Sequence, residues 1–298
     1  MEAGSAGRNG AEAAQTREIA QPGARDRGSD HLVLVRSWNL FHGNAVPTER
    51  RAYLREMVEL AAADGPDVLC LQELPVWALD RLAAWSGMQA VGDVAAPPRI
   101  GPLPSSAELG RILTEPNHGL LRSAFTGQAN AMLVAPSIRV RSHNRIVLNA
   151  KRFRDAQARA LGLGALPRLA WARERRVCQG VCLALPDGRR GAVGNLHATG
   201  LAADRRVAEA ELLRAATFLE ALAGPDELCV LAGDFNLPTT APVFGELAEW
   251  GFAGGGPGID HVLVRGAAAG PLQVWPHERR RLDGRLLSDH APVEVTIE

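Results

Sequence analysis

The sequence predicts an α/β fold in which buried strands alternate with amphipathic helices. Runs such as HLVLVRSWNL (31–40) and DVLCLQELP (67–75) are almost continuously apolar and of strand length, as expected for strands covered on both faces. Apolar residues at helical spacing lie between such runs, for example Leu212, Ala215 and Leu219. The second half of the chain repeats this alternation, so we expect two sheets packed face to face with helices outside.

Each predicted element has a local cause. Strands follow apolar runs, helices follow apolar residues three or four positions apart, and glycine and proline end them, as at Asp64-Gly65-Pro66. The predicted elements are, in chain order, a strand at 31–40, a helix over about 49–63 capped by Thr48, a strand at 67–75, a helix over about 76–86, a proline-rich, loop-like stretch from about 92 to 128, neighbouring strands at 129–137 and 138–148, a hairpin of strands at 175–185 and 190–200, a helix over about 203–223, a strand at 227–238, a helix at 240–250, and strands at 258–266 and 291–298. Residues 1–30 lack an apolar core, so we expect a disordered tail before a single domain at 31–298.

Composition narrows the function classes. Charge is balanced at 33 basic and 33 acidic residues, which argues against a surface devoted wholly to a polyanion but leaves room for a local basic site. The four cysteines lie in apolar contexts without metal-binding spacing, so we expect buried free thiols and a reducing, cytoplasmic location. No apolar run approaches the ~20 residues that span a bilayer. We therefore expect no membrane insertion, and nothing in the sequence identifies a protein partner.

Several predicted strands end in polar side chains that are costly to bury without a partner. These are Asn39, Glu73, Asn195 with His197, Asp234 with Asn236, Asp260 with His261, and Asp289 with His290. Alternation along an extended chain puts Asp234 and Asn236 on the same side. Carboxylate and amide oxygens suit Mg²⁺, with Mn²⁺ or Ca²⁺ as substitutes, and histidines beside carboxylates suit proton transfer. If the strands lie side by side, their ends predict metal-assisted attack of water on a phosphate ester, in a nucleic acid or a small phosphoester.

The motifs that carry these residues resemble those of the endonuclease/exonuclease/phosphatase family. They are WN (38–39), LQE (71–73), NLH (195–197), GDFN (233–236), IDHV (259–262) and SDH (288–290). The order of the motifs also matches, and the resemblance spans about 32–298. It implies a four-layered α/β/β/α sandwich, a divalent cation that is normally Mg²⁺, and hydrolysis of a phosphodiester or phosphomonoester by direct attack of water.

The resemblance also implies roles for the matched residues. Asn39, Glu73 and Asp289 correspond to metal-site positions, with Glu73 the principal ligand. Asp234 corresponds to the carboxylate that orients or deprotonates the attacking water. Asn236 corresponds to the amide that holds this water or the phosphate.

Two histidines complete the set. Asp260 corresponds to the acid that bonds His290 and favours its charged form, and His290 corresponds to the residue that contacts the scissile phosphate. His197 corresponds to a catalytic position of the family. In the apurinic-site repair nucleases the residue at this position looks to be tyrosine. Because deoxyribonucleases and sphingomyelinases have histidine there, the sequence resembles those subgroups more.

The sequence leaves two possible roles open for each of three further features. Asn195 either binds phosphate or braces its strand. The arginine-rich segment 151–176 is either a solvated helix or a contact for a phosphate backbone. Trp171 within it is either part of the core or a surface on which a base or ring stacks.

The sequence leaves three function hypotheses, which we rank. A nuclease is favoured over a lipid or inositol-phosphate phosphoesterase, and a non-catalytic binding module that keeps the fold is the hypothesis from another class. A calcineurin-type metallophosphoesterase is excluded because its GD motif precedes its GNH motif, whereas here GNLH (194–197) precedes GDFN (233–236).

Overall fold

The computed structural model of the protein describes residues 32–121, 124–201 and 204–298. The strands are β1 (Val33–Asn39), β2 (Ala45–Val46), β3 (Val68–Leu74), β4 (Gln89–Ala96), β5 (Arg99–Ile100), β6 (Leu103–Pro104), β7 (Gln128–Val134), β8 (Arg139–Val147), β9 (Val177–Ala184), β10 (Arg190–His197), β11 (Leu228–Asp234), β12 (Ala253–Gly254), β13 (Asp260–Arg265), β14 (Gln273–Val274), β15 (Arg281–Leu282), β16 (Arg285–Leu287) and β17 (Val293–Ile297). The helices are α1 (Leu54–Ala62), α2 (Leu82–Ser86), α3 (Ala107–Thr114), α4 (His118–Leu121), α5 (Lys151–Ala160), α6 (Ala165–Arg173), α7 (Arg206–Glu220) and α8 (Val243–Glu249), with short 3₁₀ helices at Phe41–Gly43, Val76–Arg81, Glu115–Asn117 and His277–Arg280. The predicted tail at 1–30 lies outside the described residues.

Two mixed sheets form the centre of the fold. The first has the strand order β14-β17-β1-β3-β7-β4 and the second β12-β13-β11-β10-β9-β8. One pair in each sheet is parallel, β1 with β3 and β10 with β11. Parallel neighbours need a crossover connection, and α1 and α7 lie within these two crossovers. The chain therefore contains two strand–helix–strand units, which explains why its two halves look alike in sequence.

The helices cover the outer faces of the two sheets. Helix α1 lies against the first sheet, because Arg36 of β1 donates to the Ala61 carbonyl of α1 and Leu54 and Met57 belong to the same buried cluster as Leu69 of β3. Leu212 and Leu219 of α7 belong to a second cluster on the outer face of the second sheet. Helix, sheet, sheet and helix thus lie in four layers, so the predicted sandwich is confirmed. Within the described part of the chain, no helix is both long enough and apolar enough to cross a membrane.

The first predicted helix begins later than expected, at Leu54 rather than near residue 49. Ala45 and Val46, which precede the predicted helix, pair with β16, and the Tyr53 backbone N–H donates to the Gly43 carbonyl at 2.8 Å. These bonds hold the intervening chain outside the helix, so Thr48 does not cap it. Pairing with a strand from the far end of the sequence is not visible locally.

Two further expectations were wrong. The stretch from 92 to 128 is not a continuous loop, because it contains the end of β4, the β5–β6 pair, α3 and α4. The side chain of Ser106 caps α3 by accepting from the Leu109 N–H at 3.1 Å. The successive strands β7 and β8 are also not neighbours, since they belong to different sheets.

Candidate functional site

The candidate site lies at the carboxyl ends of the parallel strands. In the second sheet His197 lies opposite Asp234, and Asp234 lies opposite Asp260 on the other side. In the first sheet β1 ends at Asn39, opposite Gln72, and Glu73 follows. Because the two sheets face each other, these strand ends meet across the sandwich.

Gly233 makes this arrangement possible in the backbone. Its φ is +144°, and a Cβ there would lie 1.9 Å from the Leu196 carbonyl oxygen, so any larger residue would push β11 away from β10. The strand ends at Asp234, and Asn236 has a left-handed φ of 53°. The alternation assumed from the sequence therefore stops before Asn236. Its backbone N–H instead donates to Asp234 Oδ1 at 3.0 Å, and its side-chain amide donates to the Ala198 carbonyl at 3.0 Å.

Asp234 is the centre of the site. Its Oδ2 accepts from the Asn39 amide at 3.0 Å and lies 3.5 Å from His197 Nε2 and 3.9 Å from His290 Nε2. The side chain is almost fully buried. Burial, with the negative charge of Asp260 as the next cause, raises the pKa of Asp234 to about 7. A carboxylate with such a pKa is suited to accept a proton near neutral pH.

His290 has the opposite character and is charged. Its Nδ1 lies 2.7 Å from Asp260 Oδ2, so Nε2 is the nitrogen turned toward Asp234. Burial lowers the pKa of His290, but the hydrogen bond and charge of Asp260, with the charges of Asp234 and Asp289, outweigh it and raise the pKa to about 9. The backbone around His290 is also fixed, because the Trp38 indole N–H donates to its carbonyl at 3.0 Å.

His197 is neutral by contrast. Its ring is buried, and Arg176 Nη1 lies 3.1 Å from each of its two nitrogens. Burial and then the guanidinium charge hold the pKa of His197 well below its ordinary value. His197 can therefore donate or accept a hydrogen bond, while His290 and Arg176 supply the positive charge of the site.

Glu73 faces this group from the first sheet. Its Oε2 lies 3.4 Å from His42 Nε2 and its Oε1 lies 3.8 Å from His197 Nε2. Burial raises the pKa of Glu73, which the Asn39 amide and the charge of Arg176 partly offset. Glu73 also has a positive φ of 54°, a strained conformation that clusters at functional sites.

Asn195 lies deeper than the rest, between the two sheets. Its amide nitrogen donates to the carbonyls of Leu71 and Ala131 at 3.1 and 2.9 Å and to Gln179 at 3.0 Å, while its oxygen accepts from Gln72 at 2.7 Å. The side chain has no exposed surface. This geometry favours the bracing role over the phosphate-binding role.

Asp289 lies at the opposite extreme and is exposed. It lines a cavity of about 260 Å³ together with Asp260 and His290, and its charge raises the pKa of Glu73 and of His290. Of the predicted site residues, the structure thus brings together Asn39, Glu73, His197, Asp234, Asp260 and His290, with Asp289 at the rim, Asn236 behind Asp234 and Asn195 below.

Three residues at the site were not predicted. No motif includes His42, yet its Nε2 lies 3.4 Å from Glu73 Oε2. Arg176 was considered only as part of the arginine-rich segment 151–176, for which a solvated helix and a phosphate-backbone contact were both open. Gln128, whose amide lies 3.3 Å from His197 Nδ1, was not singled out. Signals existed for two of them, since His42 lies three residues after the end of β1 and Arg176 directly precedes β9, the strand paired with β10.

The arginine-rich segment forms α5 and α6, with most of its arginines exposed. Trp171 is fully buried and donates its indole N–H to Glu211 at 2.6 Å. The interpretation of Trp171 as a surface for stacking a base is therefore wrong, and its role is in the core.

The donor atoms fit a divalent cation. Asp234, Asp260 and His290 each offer a ligand atom, and these atoms lie within 4.8 Å of one another. However, this closeness reflects the Asp260–His290 hydrogen bond, and a charged imidazole cannot ligate a metal. Glu73 fits better, because its half-buried carboxylate, whose pKa burial raises, gains from a nearby positive ion. Its amide neighbour Asn39 and the exposed carboxylate of Asp289 add oxygen atoms of the kind that Mg²⁺ prefers.

Comparisons with known proteins agree with this fold. The profile of the Endonuclease/Exonuclease/phosphatase family matches residues 37–290. A search of curated proteins finds no match. Similar solved structures include an endonuclease/exonuclease/phosphatase from Bacteroides vulgatus (13% identity, TM-score 0.63, covering 90% of this chain and 98% of that one). They also include the catalytic domain of human Nocturnin with bound sulfate (16%, 0.61, 90% and 93%) and a mannosyl-6-phosphatase from Bacteroides thetaiotaomicron (15%, 0.59, 89% and 99%). At these identities the likeness shows the fold.

Proposed function

Because this chain belongs to the endonuclease/exonuclease/phosphatase family, whose members hydrolyse phosphoesters, we propose that it is a metal-dependent hydrolase of phosphodiesters that uses direct attack of water. The observation that carries the proposal is the pairing of a buried carboxylate with a charged imidazole. Asp234 Oδ2 and His290 Nε2 lie 3.9 Å apart, with pKa values raised to about 7 and about 9 respectively. Between these two values the first group can accept a proton while the second remains charged.

The two groups support complementary steps. The oxygen of a water molecule attacks phosphorus as the bond to the leaving oxygen breaks, and Asp234 Oδ2 takes the proton of that water. Asn39 and the Asn236 backbone N–H hold the carboxylate in place from two sides. Negative charge that builds on the phosphoryl oxygens is stabilised by the His290 imidazolium, whose orientation Asp260 fixes. His197 is placed to hydrogen-bond the phosphate as a neutral ring.

A divalent cation would be held by Glu73, with Asn39 and Asp289 as further candidates. Bound there, it would neutralise charge on the phosphate and favour ionisation of the attacking water. We propose Mg²⁺, with Mn²⁺ or Ca²⁺ as substitutes, because the donors are oxygen atoms.

Among phosphate esters, a phosphodiester is the first candidate for the substrate. The preference for nucleic acid loses support because Trp171, its stacking candidate, is buried. The similar fold of a protein named a mannosyl-6-phosphatase makes a phosphomonoester the second candidate. A non-catalytic binding module is disfavoured because Glu73, His197, Asp234 and His290 come together with raised or lowered pKa values, an arrangement typical of active sites.

Turnover of bis(p-nitrophenyl) phosphate tests the proposal. We expect activity with Mg²⁺ that EDTA removes, and losses of at least ~10²-fold in Glu73→Ala and His290→Ala. The exposed His277 provides a matched control, since His277→Ala should retain full activity. Absence of metal-dependent turnover, or full activity in both site variants, would overturn the proposal. If turnover is found, a panel of plasmid DNA, RNA, sphingomyelin and inositol phosphates assigns the substrate.

A further inference from the structure

Large apolar side chains are exposed in two segments that leave the sandwich near the site. We call them the apolar rim; its members are Leu103, Leu109, Ile112 and Leu120 of the segment 97–121, and Leu166 and Leu169 of α6. Leu120, Leu166 and Leu169 are 77%, 80% and 68% exposed. Single exposed leucines need no explanation, but clusters of them on a surface mark an interaction site.

The first segment leaves the first sheet at its catalytic end. It follows β4, whose last residue Ala96 pairs with Gln128 at the start of β7. On the other side of β7, Ala129 pairs with Leu74, the residue after Glu73. The segment is also tied to the site directly, since His118 Nε2 lies 2.7 Å from the carbonyl of His42.

The second segment leaves the second sheet at the same end. It connects Val147 of β8 to Val177 of β9, which are paired, and Cys178 pairs with Leu196, the residue before His197. Strands β4 and β7 lie against β9 across the sandwich. The two parts of the apolar rim therefore emerge from facing corners of the two sheets, beside the catalytic groups.

The charge around the second part is strongly positive. Between 151 and 175 the exposed basic residues are Lys151, Arg152, Arg159, Arg168, Arg173 and Arg175. The acidic residues of this stretch are Asp155, which pairs with Lys151, and Glu174, which pairs with Arg176. Arg168, Arg173 and Arg175 thus form no salt bridge within this stretch, and Arg168 donates only to the backbone carbonyls of Leu163 and Ala158.

We propose that the apolar rim and the arginines of α6 dock the protein onto the surface of an anionic lipid bilayer, with the catalytic end of the sandwich facing the membrane. Exposed leucines beside arginines can bind such a surface through buried apolar area together with attraction to anionic headgroups. A nucleic acid would use the arginines but has no use for the leucines, because its contacts are phosphates and stacked bases. Docking goes beyond the proposed hydrolysis and does not require it.

Co-sedimentation with large unilamellar vesicles tests the proposal. In EDTA, so that no turnover occurs, the full chain should bind vesicles of phosphatidylcholine with phosphatidylglycerol and bind pure phosphatidylcholine more weakly. We expect Leu166→Ser with Leu169→Ser, and separately Leu109→Ser with Ile112→Ser, to weaken binding by at least about tenfold. Leu32→Ser is the control, since Leu32 is exposed just before β1, at the end of the sheet opposite the site, and its loss should leave binding unchanged.

The arginines give a second readout. Replacing Arg168, Arg173 and Arg175 by Gln should weaken binding to anionic vesicles by roughly fivefold for each charge, and high salt should reproduce this loss in the unmodified chain. Replacing the exposed Arg139 and Arg141 of β8 by Gln is the matched control. All variants should hydrolyse soluble bis(p-nitrophenyl) phosphate at the unmodified rate, so failure to dock is distinguishable from failure of the active site.

Three results would overturn the proposal. They are the absence of vesicle binding by the unmodified chain, vesicle binding that the leucine substitutions leave unchanged, and retention of duplex DNA or RNA in place of vesicles with no effect of the leucine substitutions. The last of these would assign the basic surface to nucleic acid.

Discussion

Asp260→Asn is the substitution that isolates the proton chemistry of the site. The change keeps the size of the side chain but removes the negative charge that lies 2.7 Å from His290 Nδ1. Two groups should respond. His290 loses its main source of positive-charge stabilisation, and Asp234 loses the negative neighbour that helps to raise its pKa.

The structure sets the size of the effect. The pKa of His290 is raised from 6.5 to about 9, which corresponds to about 3 kcal/mol of preference for the charged form, since one unit of pKa is worth about 1.4 kcal/mol. Asp260 contributes the largest favourable part, and burial opposes it, so in Asp260→Asn the pKa of His290 should fall to its ordinary value or below. At about pH 8 the charged fraction would then drop by roughly 30-fold, and kcat/KM with it. Near pH 6 the loss should be much smaller.

The assay is kcat/KM for bis(p-nitrophenyl) phosphate across about pH 5.5–9.5 at constant ionic strength. The unmodified protein should show a bell whose rising limb follows deprotonation of Asp234 and whose falling limb follows deprotonation of His290. In Asp260→Asn both limbs should move to lower pH, whereas Asp226→Asn, at an exposed position, should leave them in place. A falling limb that stays near pH 9 in Asp260→Asn would refute the reasoning, as would an unchanged NMR titration of His290.

Three further substitutions separate the remaining roles. Glu73→Gln should lower Mg²⁺ affinity by at least about tenfold by calorimetry, and an unchanged titration would remove Glu73 from the metal site. Arg176→Gln should raise the pKa of His197 toward its ordinary value, because the guanidinium charge is lost while burial remains; NMR titration checks this, with the exposed Arg175→Gln as control, and a pKa that does not move would contradict the cause. Asn195→Ala should lower the free energy of unfolding by about 3 kcal/mol, because it strands several buried partners. Urea unfolding measures this loss, and full stability combined with lost phosphate affinity would restore the phosphate-binding interpretation of Asn195.

Sequence reasoning was most successful where the cause is local or periodic. The buried strands, the α7 stripe and the hairpin of β9 and β10 each follow from spacing within one short window, so the strand ends that carry Asn39, His197, Asp234 and Asp260 could be found. It was least successful where a partner lies far along the chain. The delayed start of α1 depends on β16, and the separation of β7 from β8 depends on which sheet each strand joins.

The sequence by itself determined the fold class and the kinds of groups at the site, because apolar periodicity and polar strand ends are properties of neighbouring residues. It could not assign the charge on each group, since pKa depends on burial and on residues brought close by folding. His197 and His290 are both histidines at strand ends, yet Arg176 and burial keep the first neutral while Asp260 keeps the second charged. Only the tertiary structure decided that difference, together with the recruitment of His42 and the internal bracing by Asn195, because each depends on distances across the two sheets.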